Sequence, residues 1–561
     1  MGDSRRAFVL FAVALSIACA LLAYSLRLAA AYQDDFTYLA LARHLESPWP
    51  LLLQDSVGSY FFRPVVMLGW WLTDSVAEGS IAAHSAIGIA VHGLNAVLLH
   101  CLLRRHRIEA GVAGMVAIGF LVHPAAAATS FWLSARFDLF TATFGLLALI
   151  ALDRHLQQPS WRALFAAALA MLASLLSKEI GFAFAVLAIG CALWSETTTH
   201  SASARQRWLA AASMAGAAAI ALAMRSVALR PLPSSDGLWA VLLQLLGGGM
   251  ASWLQSLPAF LVVPQGRLAS VLAWATTLAV LASLMAFTAP RRQLAREPMR
   301  RLLAIGLALM LLAAAAQSPT TADAPIFHFS LGTFNPGGVV SARFYYVPLL
   351  GFAFVLAALA QTLAATSRAR PARLAFVGLA ALAIAGMLAS SRGIARDWAR
   401  FTVARSEVFA RPAIEAVSAL RQVEPGCKVY LLGTPPEADL LRDMIDTGVK
   451  RALPRGHPAL ACFVQAEHAP WYHLLERRAL PPDAHRPLEV IEAGGRPYPP
   501  LPVGNLVYYF VRFAPGSDAQ VAQDPGAVFL AMQGGSYVDV TADVRSGARK
   551  PRFFDRRAPP P

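Results

Sequence analysis

Long apolar stretches, separated by short polar segments, occupy most of the chain up to about residue 391. A backbone in lipid must satisfy its own hydrogen bonds, so repeated stretches of this kind predict a polytopic α-helical membrane protein. The composition agrees, since 57% of the 561 residues are hydrophobic and 14% are charged. The first stretch, Ala7–Ala31, follows Arg5 and Arg6 and is long for a signal peptide. We therefore predict that it is a retained first helix.

The apolar pattern predicts about eleven membrane crossings. Several predicted spans are shorter than the ~20 residues of a perpendicular helix, which predicts polar loop residues at membrane depth. Residues 237–262 contain three consecutive glycines, and a crossing there would place the following arginines on the wrong side of the membrane. We predict a re-entrant or interfacial segment instead. The predicted spans are 7–31, 81–103, 109–122, 138–152, 161–177, 180–195, 208–228, 268–289, 301–316, 347–366 and 374–390.

The charge distribution indicates orientation. The net charge is +15, but the arginines lie in short clusters between the predicted spans and form no continuous basic stripe. This pattern argues against nucleic-acid binding. It predicts a cytoplasmic N-terminus and an extracytoplasmic C-terminus. The abundance of arginine and alanine suggests a bacterial protein, so we expect a multi-pass protein of the cytoplasmic membrane.

The long apolar stretches end at about Arg392. This change predicts two domains, a membrane domain, 1–391, and a small extracytoplasmic α/β domain, 392–561. An oxidising compartment would permit a disulfide between Cys427 and Cys462. The segment after the first predicted strand lacks a G-x-G-x-x-G pattern, so no nucleotide site is predicted. The predicted strands are 428–432, 460–464, 488–491 and 506–512, and a helix is predicted over 437–446.

Two adjacent carboxylates, Asp34 and Asp35, follow the first span at the start of a predicted external loop, 32–80. Ionisable groups at a membrane boundary are costly, although two such residues can simply flank or cap a span. Their mutual repulsion would raise the pKa of one of them and favour a general base. A pair of carboxylates also suits a divalent cation. The sequence leaves these alternatives open.

Further charged residues recur on the predicted external side. Arg136 and Asp138 form an ionisable pair at a span entrance, suited either to a structural ion pair or to phosphate binding by the arginine. Lys178, followed by Glu179, interrupts an apolar stretch and is the only lysine before residue 392, which favours a role toward a phosphate leaving group. Arg343 ends the external loop 317–346, where it suits an anionic lipid head group or an aromatic-belt anchor.

Other polar residues have equally good structural explanations. Arg63, before a proline, suits an interfacial arginine. His92 and Asn95 share one helix face with His84 close to the same stripe, as expected for a substrate site or for buried polar contacts between helices. His123 and Pro124 belong to the same predicted external group as Arg136 and Asp138.

Taken in order along the chain, the motifs that contain these polar residues resemble those of the GT-C glycosyltransferases. They resemble most closely those of the protein O-mannosyltransferases with tetratricopeptide repeats. The resemblance covers about residues 30–350. Two features depart from that branch: Ser134-Ala135 stands where glycine precedes the arginine, and the C-terminal repeats are replaced by the α/β domain. The motifs are Asp34-Asp35, Tyr60-Phe61-Phe62-Arg63-Pro64, His92-x-x-Asn95, His123-Pro124, Arg136-x-Asp138, Ser177-Lys178-Glu179 and Arg343-Phe344-Tyr345-Tyr346-Val347-Pro348.

The resemblance implies inverting transfer of one sugar from a polyprenyl-phosphate carrier on the extracytoplasmic face. It assigns the base to Asp34 or Asp35 and makes Arg136, Lys178 and Arg343 candidates for the donor phosphate. Residues of both sets are expected in one pocket. The acceptor hydroxyl would belong to an envelope glycan, a lipid or a protein. The alternatives are a flippase for lipid-linked saccharides, which would also need intramembrane charges, and an envelope-assembly scaffold.

Overall fold

The structure is a computed structural model, and its mainly helical part carries most of the apolar sequence. The described residues are 2–53, 62–194, 202–228, 297–321, 334, 336–366, 370–420, 426–434, 442, 444–469, 472–476, 488–490, 492–493, 496–497, 501–513 and 518–551. The predicted segments 237–262 and 268–289, together with Tyr60 and Phe61, lie outside them.

The helices follow the predicted spans closely. They are α1 Gly2–Leu26, α2 Asp35–His44, α3 Pro50–Leu53, α4 Pro64–Ala77, α5 Ile81–Arg105, α6 Ala110–Val122, α7 Pro124–Thr129, α8 Arg136–Gln157, α9 Trp161–Leu175, α10 Gly181–Leu193, α11 Ala204–Ala228, α12 Glu297–Thr321, α13 Pro336–Ser341, α14 Arg343–Thr366, α15 Arg370–Arg405, α16 Arg411–Ser418, α17 Ile445–Lys450, α18 Asp518–Ala522 and α19 Thr541–Arg545.

Seven of these helices are long and apolar enough to cross a membrane: all or part of α1, α5, α8, α11, α12, α14 and α15. Three shorter apolar helices, α6, α9 and α10, contain 13, 15 and 13 residues, which agrees with the prediction of short spans. The predicted fold class, a polytopic helical membrane protein with a small C-terminal α/β region, is confirmed in these features.

Helices α12 and α14 approach each other through two glycines. A Cβ atom on Gly306 would lie 2.6 Å from the carbonyl oxygen of Gly351, and a Cβ atom on Gly351 would lie 2.6 Å from that of Gly306. Any larger side chain would force the two backbones apart. Small residues that permit close contact are typical of helix association in membranes, where apolar burial alone gives little driving force.

The chain folds into two compact units, each assembled from segments that are distant in sequence. The helical unit contains Met1–Arg27, Ser85–Met224 and Ser234–Ala399. The mixed unit contains Leu28–His84, Arg225–Pro233 and Arg400–Pro561. The external loop, which the sequence analysis assigns to the membrane domain, therefore groups with the C-terminal region.

The mixed unit contains two small sheets and a short hairpin. Its strands are β1 Lys428–Leu432, β2 Phe463–Ala466, β3 Tyr472–Glu476, β4 Leu488–Val490, β5 Glu492–Ala493, β6 Arg496–Pro497, β7 Leu501–Val503, β8 Leu506–Phe513, β9 Ala527–Gln533 and β10 Ser536–Asp539. The first sheet has the order β10-β9-β1-β2, with β1 parallel to both neighbours. In the second, β8 is antiparallel to β3, β4 and β7.

A disulfide joins Cys427 and Cys462, as the sequence analysis predicts for an oxidising compartment. The two cysteines directly precede β1 and β2, which pair in parallel from Lys428 opposite Phe463. This register brings their Cα atoms to 4.5 Å. The bond therefore fastens two neighbouring strands where they begin.

The C-terminal predictions are partly correct. Strand β1 matches its predicted bounds, and β2, β4 and β8 lie within three residues of theirs. Helix α15 continues to Arg405, past the predicted boundary, because the chain contains no proline between 371 and 412 to interrupt it. Helix α17 begins at Ile445, at the end of the helix predicted over 437–446, of which residues 437–441 and 443 lie outside the described part of the chain. Six strands have no counterpart in the sequence predictions: β3, β5, β6, β7, β9 and β10.

Candidate active site

The acidic pair lies at the start of α2 in the mixed unit. Asp34 is the N-cap residue and Asp35 is the first residue of the helix. The Oδ2 atom of Asp35 accepts a hydrogen bond from the backbone N–H of Tyr32 at 3.0 Å, and this residue is only 1% exposed. Asp34 is half-buried. The two neighbours thus differ in surroundings: Asp35 stabilises the turn, and Asp34 is the more accessible carboxylate.

The turn before the pair has an unusual backbone. Gln33 has a φ of +50°, in the left-handed region that is costly for residues other than glycine. Its carbonyl oxygen accepts from the backbone N–H of Phe36 at 2.9 Å, while the N–H of Asp35 donates to Tyr32 O at 3.2 Å. These bonds hold the chain in a tight turn that fixes where α2, and with it Asp34, begins.

A buried ion pair lies in the helical unit. The Nζ atom of Lys178 is 2.7 and 2.8 Å from the two carboxylate oxygens of Asp138, and both residues are buried. Asp138 belongs to the first turn of α8, where a negative charge also interacts favourably with the helix dipole. The structure thus gives Asp138 a lysine partner, whereas the sequence analysis pairs it with Arg136. Side chains two positions apart on a helix do not face each other.

A tight turn between α9 and α10 presents Lys178. Gly181 is required there, because a Cβ atom on it would lie 2.7 Å from the carbonyl oxygen of Ser174. The Oγ atom of Ser174 donates to the carbonyl oxygen of Thr141 at 2.8 Å and so joins this turn to α8. Glu179, next to the lysine, is half-buried.

Arg343 begins α14 beside the same ion pair. Its guanidinium carbon lies 4.7 Å from the ring centroid of Trp132 and 4.9 Å from that of Phe344. The Nζ atom of Lys178 is 5.6 Å from the Phe344 ring. Two cations therefore flank one aromatic ring, in a cluster that we call the cationic cluster: Trp132, Asp138, Lys178, Arg343 and Phe344. Such cation–π contacts are stabilising when partly desolvated.

Arg136 and His123 lie on the elements that lead into this cluster. Arg136 is the first residue of α8 and is 2% exposed. His123 caps α7, because its Nδ1 atom accepts from the backbone N–H of Ala125 at 3.2 Å. This contact gives His123 a structural function in addition to any contact with substrate.

His92, Asn95 and Tyr346 form a buried hydrogen-bonded network between helices. The Tyr346 hydroxyl lies 2.7 Å from His92 Nδ1 and 3.0 Å from Asn95 Nδ2. The second ring nitrogen of His92 lies 2.9 Å from Leu121 O, and Thr143 donates to Asn95 Oδ1 at 2.7 Å. Buried polar groups in lipid need such partners. The contacts favour the structural interpretation of His92 and Asn95.

The remaining predicted residues lie in the mixed unit. Arg63 is half-buried and immediately precedes α4. His84 is buried, with its Nε2 atom 3.8 Å from Asp74 Oδ1 and its ring 5.2 Å from that of Trp70. Its neighbours thus differ from those of His92.

A divalent cation such as Mg²⁺ is often held by one or two carboxylates together with water and substrate phosphates, so the acidic pair keeps the divalent-cation alternative open. Among the residues that the structure describes, no three His, Cys, Asp or Glu side chains are arranged to hold a metal ion. Asp35 is also already engaged with the Tyr32 N–H.

Sequence reasoning missed the aromatic part of the cationic cluster. Phe344 lies inside the motif that begins at Arg343, whereas Trp132 lies between the His123-Pro124 and Arg136-x-Asp138 motifs. The abundance of aromatic residues in such loops is also typical of membrane interfaces, which hides a specific contact with a cation.

No protein-family model matches this chain, and no curated protein matches it. Among solved structures, the chain is similar to ArnT from Cupriavidus metallidurans bound to undecaprenyl phosphate, at 14% identity and a TM-score of 0.40 over 90% of this chain and 97% of that chain. The apo state of ArnT gives 12% identity and a TM-score of 0.35 over the same shares.

A third similar structure is the Archaeoglobus fulgidus oligosaccharyltransferase in complex with Zn and sulfate. The identity is 12% and the TM-score is 0.37, over 79% of this chain and 62% of that chain. These three structures, two of ArnT and one of the oligosaccharyltransferase, are what the chain is similar to.

Proposed function

We propose that this chain is an integral membrane glycosyltransferase of the GT-C type that transfers a monosaccharide from a polyprenyl-phosphate carrier to a hydroxyl acceptor. The observation that carries the proposal is the cationic cluster, in which Lys178 and Arg343 flank Phe344 beside Asp138. Buried charges in an otherwise apolar helical protein are costly, and they mark substrate sites more often than they add stability.

The chemistry of the cluster suits a departing phosphate. Arginine offers a planar donor fork to phosphate oxygens, and lysine offers a compact positive charge. Arg136 and Arg343 each begin a helix, and the partial positive charge at a helix N-terminus adds to their own. Asp138 holds the lysine ammonium in one place. These groups would stabilise negative charge as the bond between sugar and phosphate breaks.

We assign the base to Asp34, the half-buried member of the acidic pair. In the proposed step the acceptor hydroxyl oxygen attacks the anomeric carbon and gives its proton to the carboxylate. The bond from that carbon to the phosphate oxygen breaks, and its electron pair leaves with the polyprenyl phosphate. A single displacement of this kind inverts the anomeric configuration. Asp35 would hold the turn through its bond with Tyr32.

The proposed location is the cytoplasmic membrane of a bacterium, with the N-terminus in the cytoplasm and the C-terminal region outside. The disulfide between Cys427 and Cys462 supports the outside location of that region, since disulfides persist in oxidising compartments. The acceptor would then be a hydroxyl of an envelope glycan, a lipid or a protein.

The test uses purified protein in lipid nanodiscs with radiolabelled polyprenyl-phosphate monosaccharides and an envelope extract as the acceptor. We expect Asp34→Asn to lower transfer by about 10²- to 10⁴-fold, the usual contribution of a general base. The control is Asp543→Asn, which changes an exposed carboxylate of the same unit.

Transfer at the wild-type rate by Asp34→Asn would refute the assignment of the base. In sealed proteoliposomes, movement of the labelled lipid across the bilayer without any transfer would instead identify a flippase.

A further inference from the structure

The segment before the acidic pair is fixed to the end of α15. The ring of Tyr32 lies edge-on to that of Phe401, with 5.3 Å between the centroids. The backbone N–H of Ala30 donates to Thr402 Oγ1 at 3.1 Å. Both contacts belong to the mixed unit, and they join residues that are about 370 positions apart in the sequence.

The far end of α2 is fixed to the C-terminal region as well. The Nε2 atom of His44 lies 2.7 Å from the carbonyl oxygen of Lys450, and Asn505 Nδ2 donates to the carbonyl oxygen of His44 at 3.1 Å. The Nε atom of Arg43 donates to Leu453 O at 3.0 Å. Side-chain bonds thus hold the last turn of the helix at several points.

The middle of α2 packs on the short helix α17. The hydroxyl oxygens of Thr37 and Thr447 are 3.3 Å apart, and Thr447 also lies 3.1 Å from Met444 O, to which its hydroxyl donates. Gly448 faces the ring of Phe36: a Cβ atom on this glycine would lie 3.5 Å from Phe36 Cγ. Phe36 is two residues from Asp34, so a displacement of its ring changes the first turn of α2.

Helix α17 is in turn bound to both sheets by one carboxylate. Asp446 accepts from the backbone N–H of Val464 in β2 and from that of Leu475 in β3, each at 2.8 Å. The Nζ atom of Lys450 lies 3.0 Å from Asp446 and also donates to Leu475 O. Asp446 and Lys450 are almost fully buried. Helix α17 therefore connects α2 to the framework of both sheets.

We propose that the C-terminal region orients the acidic pair, and that Thr447 and Gly448 of α17 are positioning residues for the helix that carries it. This inference rests on the proposed function for its effect on transfer. A misplacement of about 1 Å in a reacting group can lower the rate by about 10²-fold, so the packing of α2 on α17 matters for the position of the acidic pair.

The test compares Gly448→Ala with Gly448→Leu. The alanine methyl group makes only ordinary contact with the Phe36 ring, so this variant is the matched control. The additional carbons of leucine overlap the ring and displace α2. For Gly448→Leu we expect kcat to fall by about 10- to 100-fold, with KM for the donor unchanged within about twofold. For Gly448→Ala both constants should stay at the wild-type value.

Hydrogen exchange supplies a readout that does not depend on activity. In Gly448→Leu the amides of α2 should exchange faster, while those of β1 keep their protection. If the wild type transfers no sugar, the proposed function fails, and the exchange data still decide whether α17 positions α2. Wild-type kcat together with unchanged α2 exchange in Gly448→Leu would overturn the inference.

A second pair of variants covers the case in which leucine unfolds the unit. Thr447→Val removes the hydroxyl partner of Thr37 at nearly constant volume, and Thr447→Ser restores it. We expect a lower kcat in the valine variant, an unchanged KM, and recovery in the serine variant. Equal loss in both variants, or a loss accompanied by faster exchange throughout β1, would show that Thr447 only stabilises the fold.

Discussion

Replacing Glu476 by Gln tests the electrostatics of the buried cluster that supports α17. Glu476 ends β3 and is 4% exposed. Burial raises the pKa of its carboxyl group from 4.5 to about 7; Lys450 opposes this shift and Asp446 adds to it. The folded unit therefore binds a proton that the unfolded chain releases between these two values.

The magnitude follows from the pKa change. A shift from 4.5 to about 7 corresponds to about 3 kcal/mol. Because the folded pKa is the higher one, ionisation of the buried carboxyl group lowers the free energy of unfolding of the wild type. This penalty is absent below about pH 4.5, grows as the pH rises, and is complete above about pH 7. Glutamine resembles the protonated acid. We expect Glu476→Gln to match the wild type near pH 4.5 and to exceed its stability by up to about 3 kcal/mol at pH 8.

Pulse proteolysis in urea measures this difference on the full-length protein, with a C-terminal tag to follow the mixed unit. The control is Glu415→Gln, which removes an exposed carboxylate paired with Arg411 on α16. The midpoint of the control should follow that of the wild type at every pH. If the midpoint of Glu476→Gln falls with pH as steeply as that of the wild type, the carboxyl group does not titrate as a buried acid, and the reasoning is wrong.

Two further predictions concern the ion pair and the disulfide. Lys178→Met leaves the Asp138 charge buried without its lysine, so we expect this variant to lose about 3–5 kcal/mol of stability and to lose transfer. The double variant Lys178→Met with Asp138→Leu should regain thermal stability but not transfer. Melting curves in detergent and the transfer assay measure the two effects. Recovery of transfer in that double variant would exclude a role for the lysine. Replacing Cys427 and Cys462 together by serine opens a loop with a sequence separation of 35. We expect this change to lower the free energy of unfolding by about 4 kcal/mol, which a lower urea midpoint would show. An unchanged midpoint, equal to that of the control Cys191→Ser, would contradict this.

Apolar periodicity predicted the helices well, but it could not predict their partners. The contact between Thr37 and Thr447 joins residues 410 positions apart, and neither side chain belongs to a recognisable motif. Helix α17 has only six residues, too few for a 3.6-residue pattern to stand out. The grouping of the external loop with the C-terminal region was therefore beyond what local sequence patterns contain.

At the candidate site the sequence indicated the residues better than their contacts. Lys178 stands out as the only lysine before residue 392, yet its partner Asp138 lies 40 positions away in helix α8. The distinction between Asp34 and Asp35 depends on one backbone turn, with Gln33 at positive φ, that no rule for adjacent carboxylates predicts. The prediction that the acidic pair and the cations share one pocket stays a prediction.

The order of synthesis gives the composition of the mixed unit a biological meaning. A ribosome makes residues 28–84 long before residues 400–561, so α2 has to wait for partners that emerge much later in translation. Contacts between such distant segments also form slowly. A chain released before residue 445 would lack Thr447 and Gly448, on which α2 packs. Under the proposed function, such an unfinished chain would transfer no sugar.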